Sequence, residues 1–200
     1  RSIVNKQLTT VPLVAPVPPV FQEVTKPSVQ SPPEISKPLE AIKSSLRIIT
    51  TYPALSLSKY SDVILHEFQL SDDFSKNKIA ITKIKFKNVG TLRFGYMVNL
   101  KLINSNNGIV LSTTQEKNGG LIEFILTPNS NLADNGLMVS GGLYAVMANL
   151  ITPNAGVRPY IQLDIESAND LAVADFDNLT REAMLDLSMF PVAGPKITLP

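Results

Sequence analysis

From about Ser45 onward, apolar and polar residues alternate in short blocks, the period-2 signature of strands with one face in a core and one in water. Eight segments carry it: Leu46–Thr51, Val63–Leu70, Lys78–Lys87, Gly95–Ile103, Ile109–Thr113, Leu121–Thr127, Leu143–Ile151 and Arg158–Glu166. Turn-forming residues separate them at Asn104–Gly108, Asn118–Gly120, Pro128–Asn131 and Pro153–Gly156. In Gly95–Ile103 the alternation groups Tyr96, Val98, Leu100 and Leu102 on one face. In Arg158–Glu166 it sets Ile161, Leu163 and Ile165 against Gln162, Asp164 and Glu166. Lys78–Lys87 changes parity midway, from Ile79 and Ile81 to Ile84 and Phe86, which predicts a bulge near Thr82 or Lys83. One segment reads as helix, Leu179–Leu187, with Asp177 or Asn178 as N-cap and Glu182 in its first turns. The pattern predicts an all-β antiparallel sandwich or barrel over residues 45–190, with a short helix near the C-terminus and a tail at 191–200.

The first 44 residues are of another kind. Eight of the fifteen prolines fall between Val11 and Pro38, and proline fixes φ and removes a backbone donor, so neither a helix nor a central strand is expected there. The prediction is an extended, polyproline-like arm, spanning on the order of 90 Å at ~3.1 Å per residue. Val14, Val17, Val20 and Phe21 make this arm greasier than a solvated linker needs to be, and so candidate contacts to its own or a neighbouring subunit. A plain linker is the bland alternative.

Composition changes this picture little. Hydrophobic residues make up 44% and charged residues 18%, as in a globular chain, and the net charge is +1. There is no cysteine, which excludes a disulfide framework and a thiolate metal site. The N-terminus lacks a charged region followed by an unbroken apolar stretch, and no run approaches the ~20 residues of a membrane helix, so neither a signal peptide nor membrane association is expected.

Charge is unevenly spread. No acid occurs from Phe74 to Gln115, whereas seven cations do, and beyond Asn118 nine acids face three cations. Lys83, Lys85 and Lys87 alternate and should line one strand face. That face is a candidate ladder for RNA phosphates or for the acidic region of a neighbouring subunit. Its bland reading is a solvated face whose lysines discourage edge-to-edge pairing.

Candidate catalytic chemistry is sparse. The one histidine, His66, has no Gly-x-Ser-x-Gly elbow to serve, and the expectation is a surface or barrel-edge side chain. Asp170, Asp175 and Asp177 cluster, as do Asp72 and Asp73. Neither group has calcium-loop spacing, so loop solvation, helix N-terminal charge and turn roles are expected. The pairs Gly119–Gly120 and Gly141–Gly142 lack the context of a phosphate-binding loop. No catalytic residue, cofactor or metal is implied.

Three stretches carry a resemblance. Leu121-Ile-Glu-Phe-Ile-Leu-Thr-Pro-Asn-Ser130, Gly142-Leu-Tyr-Ala-Val-Met-Ala-Asn-Leu-Ile-Thr-Pro-Asn154 and Tyr160-Ile-Gln-Leu-Asp-Ile-Glu166 resemble the closing G, H and I strands of coat proteins of plant picorna-like viruses, those of comoviruses and cheraviruses above all. The span from the first to the last of these stretches, residues 121–166, is about a quarter of the chain. The chain departs from the comovirus protein in lacking tryptophan and cysteine. The resemblance implies an eight-stranded jelly-roll subunit, without enzymatic activity, released from a polyprotein by a viral protease. It also implies assembly in the host cytoplasm with other capsid subunits into an icosahedral virion, with the enclosed RNA held weakly or indirectly. A chain starting at Arg1 suits that release. Two other readings stand beside it: a β-sandwich adhesin or carbohydrate-binding module, and a viral movement protein.

Overall fold

The structure, a computed structural model, describes residues 42–43, 46–51, 60–72, 78–152, 158–185 and 187–199; the arm residues Val14, Val17, Val20 and Phe21 lie outside them. In chain order the described strands are β1 (Ile42–Lys43), β2 (Leu46–Thr51), β3 (Val63–Asp72), β4 (Ile79–Asn88), β5 (Met97–Asn104), β6 (Ile109–Thr114), β7 (Leu121–Ile125), β8 (Met138–Val139), β9 (Leu143–Leu150), β10 (Tyr160–Ile161), β11 (Leu163–Asp164), β12 (Leu171–Asp175), β13 (Ala183–Met184) and β14 (Ile197–Thr198). The all-β expectation holds. Two antiparallel sheets dominate: one of order β2-β3-β9-β5-β6, and one centred on β4, with β11 and β12 along one edge and β7 and β8 along the other.

Their apolar faces meet. The rings of Phe68 on β3 and Phe86 on β4 lie 5.9 Å apart, and Phe124 on β7 stands edge-on to Phe86 at 6.3 Å. All three are almost fully enclosed, together with Leu65, Ile84, Leu100, Leu102 and Tyr144. Burying each such side chain contributes about 1.5–3 kcal/mol, so these alternating strand faces supply most of the driving force. The Tyr144 hydroxyl keeps polar partners inside the core: it accepts from the Val139 N–H at 2.7 Å and donates to the Val139 carbonyl at 3.3 Å.

Four strands carry an extra residue that reverses their parity; on β6 it is Leu111, since Leu102 faces Ser112 and Ile103 faces Val110. On β4, Ala172 faces Lys83 while Val173 faces Ile81, so Thr82 is the bulged residue. This is where the parity of the sequence put it, and Ile79, Ile81, Ile84 and Phe86 are all buried as a result. On β5, Val98 faces Asn149 but Lys101 faces Met147, and Asn99 has a left-handed φ of 54°. That bulge corrects the expected face: Leu100 and Leu102 are core, but Val98 turns outward and Met97 is buried in its stead. On β3 the shift between Ile64 and His66 makes Leu65 the extra residue, so Leu65 and His66 are both buried.

The C-terminal third differs from expectation in two ways. No α-helix forms among described residues 179–185 and 187. Asn178, expected to cap a helix, uses its Oδ1 to accept from the N–H and hydroxyl of Thr180 at 3.2 and 2.7 Å, closing a turn. The chain then doubles back: the Asp175 N–H donates to the Arg181 carbonyl at 3.0 Å, Glu182 bridges to Ala174, and β13 pairs with β1. A helix this short is marginal by itself, and strand pairing satisfies the same backbone groups. The second difference concerns the tail, which belongs to the sandwich. Ile165 and Val192 exchange two backbone hydrogen bonds of 2.9 Å, and β14 pairs with β10, so residues 192–199 run along the edge of Tyr160–Ile165. No helix among the described residues is long and apolar enough to cross a membrane.

Candidate functional site

Lys83, Lys85 and Lys87 alternate with the buried Ile84 and Phe86, and so share the outer face of the β4 sheet, each half-buried. β4 lies at the centre of its sheet, so the lysines do not guard an edge, and that part of the bland reading falls. Their neighbours are set by register: Lys85 faces Glu123, Lys83 faces the exposed Ile125, and Lys87 faces Leu121 on one side and Asp164 on the other. Glu123 lies in the middle of the cations, 2.7 Å from Lys117 and 4.0 Å from Lys85. The Lys117 hydrogen bond, aided by the charges of Lys117, Lys85 and Lys83, holds its carboxyl below the usual range. The Lys87 ammonium donates to the Gly119 carbonyl. What emerges is a basic face with an acid at its centre.

His66 is the principal correction. It has no exposure at all, which overturns the surface or barrel-edge expectation. The β3 bulge at Leu65 puts its parity with Phe68 and Leu70, and its ring sits edge-on to Phe68 and Phe86 at 5.5 and 5.6 Å. The Thr50 hydroxyl donates to the Ala193 carbonyl at 3.1 Å, which leaves its oxygen to accept from His66 Nε2 at 3.1 Å. The neutral ring therefore carries its proton on Nε2, and Nδ1 is enclosed without a hydrogen bond.

Gly194 closes this pocket. A Cβ on it would stand 2.3 Å from the Leu163 carbonyl oxygen and 3.0 Å from His66 Nδ1, so only glycine lets the tail settle there. The Gly194 N–H donates to Asp164 Oδ1 at 3.0 Å. Burial pushes the imidazole down to about 4, against the opposing pulls of the Leu163 carbonyl and the Asp164 carboxylate.

The acids do not converge. Asp170 accepts from the N–H and hydroxyl of Ser167 at 2.9 and 3.1 Å, capping a short turn. Asp175 is buried, accepts from the Asp177 N–H at 3.1 Å and lies 3.8 Å from Arg181, while Asp177 is exposed. Asp72 ends β3, and Asp73 lies outside the described residues. No group of three His, Cys, Asp or Glu side chains that could hold a metal occurs among the described residues.

Sequence reasoning missed one buried carboxylate. Glu116 accepts from the Gly95 N–H at 3.3 Å and from Asn88 Nδ2 at 3.5 Å, tying the β4–β5 loop to the β6–β7 turn. Burial raises its carboxyl, with the Gly95 and Asn88 bonds opposing. It sits in an irregular stretch where no periodicity marks a residue as buried.

Among the described residues lie two open hollows. One of about 490 Å³ is lined mainly by Leu171, Val173, Leu179, Leu185 and Leu187, with Glu182 as its one acid. The other, about 510 Å³, is bounded by Asn99, Leu100, Lys101, Thr113, Thr114 and Gln115. Neither joins a base to a nucleophile in the manner of a general acid–base site. No family model matches the chain, and neither a curated protein nor a solved structure does.

Proposed function

We propose that the chain is a structural subunit of an icosahedral viral shell, a jelly-roll sandwich that assembles with other capsid subunits around an RNA genome and carries no reaction of its own. One observation supports this above others, the interleaved strand order. Lettering β2, β3, β4, β5, β6, β7, β9 and the run β10 to β12 as B to I along the chain makes β3-β9-β5-β6 the series C-H-E-F, and β11 with β12, β4 and β7 the series I-D-G. The likeness supports the reading: a jelly roll alternates distant segments between two facing sheets in this manner. The chain differs from it at one place. Segment B pairs with C, and residues 192–199 occupy the edge beside I.

The titratable groups also suit a scaffold. Glu116, Asp170 and Asp175 each hold a loop or turn together. On the basic face Glu123 weakens the field that Lys83, Lys85 and Lys87 would offer to a polyanion. A neighbouring subunit with an acidic surface fits that mixed face better than extended RNA contact. The virion, assembled in the host cytoplasm, is the location this reading implies.

The apolar arm gives the test. The unaltered full chain should form uniform particles in electron micrographs, and replacing Val14, Val17, Val20 and Phe21 together by serine should abolish them while leaving the β-rich circular dichroism unchanged. Particles in undiminished yield would contradict the assignment of those residues to subunit contact.

A further inference from the structure

The tail is fastened to the sandwich at a point where it covers a buried, half-partnered imidazole. Four elements meet there. From β2 comes Thr50, whose hydroxyl relays between His66 Nε2 and the Ala193 carbonyl. From β11 come the Leu163 carbonyl and Asp164, from β4 the Phe86 ring, and from the tail itself Ala193 and Gly194. The one charged group acting on the ring from these elements is Asp164, which already accepts from Gly194 and, at 3.1 Å, from Gln162 Nε2. On either side of this point the tail pairs through its backbone at Ile165–Val192 and at Leu199–Pro159, buries Val192, Ile197 and Leu199, and sets the Lys196 ammonium 4.1 Å from the centre of the Tyr160 ring.

We infer that residues 192–199 form an acid-releasable strap, latched while His66 is neutral and detached from the β10–β11 edge when His66 takes up a proton. The physical reason is local. With the strap closed, a proton on Nδ1 places a full charge among two phenylalanine edges and the packed tail, away from water. Lifting Ala193 and Gly194 admits water to that nitrogen, and the charge becomes solvated. Proton uptake and strap opening therefore favour each other, by linkage. Release also frees an edge: the backbone groups of Ile165 lose their partners, and Ile197 and Leu199, buried in the closed form, come out with the strap.

Amide hydrogen exchange of the untagged full chain reads it directly. After correction for intrinsic exchange, opening at Val192, Gly194 and Leu199 should grow about tenfold per pH unit as pH falls from 6.5 toward 4, the slope of one proton taken up on opening. Amides inside β3 and β9 should stay protected over the same range. In His66→Gln, neutral at every pH, the strap slope should vanish.

The histidine resonance of the wild-type chain gives a second reading that needs no variant. This sole imidazole should titrate far below its ordinary 6.5, with strap signals following the same curve. Strap amides with no pH slope, β3 and β9 amides opening as readily as those of the strap, an unchanged slope in His66→Gln, or a ring titrating near 6.5 beside a static tail would each overturn the proposal.

Discussion

His66 makes stability depend on pH with a definite sign. Unfolded, its imidazole binds a proton near 6.5; folded, only near 4, because burial excludes the charge. As pH falls through that window the unfolded chain takes up a proton the folded one refuses, so stability is lost, by roughly 3 kcal/mol when pH 4 is reached. Glu116 acts with the opposite sign. Its carboxyl is raised in the fold, so the folded state takes up that proton first and gains stability as pH falls. Urea midpoints measured from pH 7 to 4 should therefore drop steeply for the wild-type chain. In His66→Gln the steep loss should disappear. Equal slopes in the two would mean that the histidine is not the group responsible. In sequence His66, a lone histidine beside Glu67, looks like a surface residue. Its shared parity with Phe68 and Leu70, against Glu67 and Gln69, was the signal that it faces inward.

At the scale of elements, the strands were legible where parity was clean. β2 has the very limits its alternation predicts, and the Thr82 bulge was announced by the parity change between Ile81 and Ile84. β5 offered no such sign, because its bulge falls on Asn99 between two plausible core residues, Val98 and Leu100. Asn99 is held at φ 54°, where asparagine is tolerated and glycine unstrained. Asn99→Ala should lower stability by about 1 kcal/mol, whereas Asn99→Gly should change it by less than ~0.5 kcal/mol. Equal losses in chemical denaturation would mean that the left-handed backbone is not what sets the cost. β12 was overlooked because Ala172 and Ala174 are too small to announce the alternation that Leu171 and Val173 begin. The stretch after Asn178 resembles a helix in sequence because its cap residue is also a good turn residue, and tertiary pairing with Ala174 decides between the two.

At the scale of the molecule, segment order along the chain says little about which strands become neighbours. The connections between sheets are long enough to permit several orders. Only packing against the shared Phe68–Phe86 core and edge satisfaction choose among them. The tail illustrates this. Nothing in 192–199 looks like a strand from sequence, yet it fills an edge that would otherwise present unpaired backbone. Exposed Phe94, Ile125, Ile151 and Leu187 mark further surface that assembly would bury. The lysine face, with Glu123 at its centre, suits a contact of mixed charge.

Assembly is the claim on which the functional account rests, and the native mass of the purified full chain tests it most directly. Sedimentation velocity at neutral pH should give one large, sharply defined species, many times the mass of a single chain, as a closed shell requires. A lone monomer boundary that does not move as concentration is raised would contradict the account.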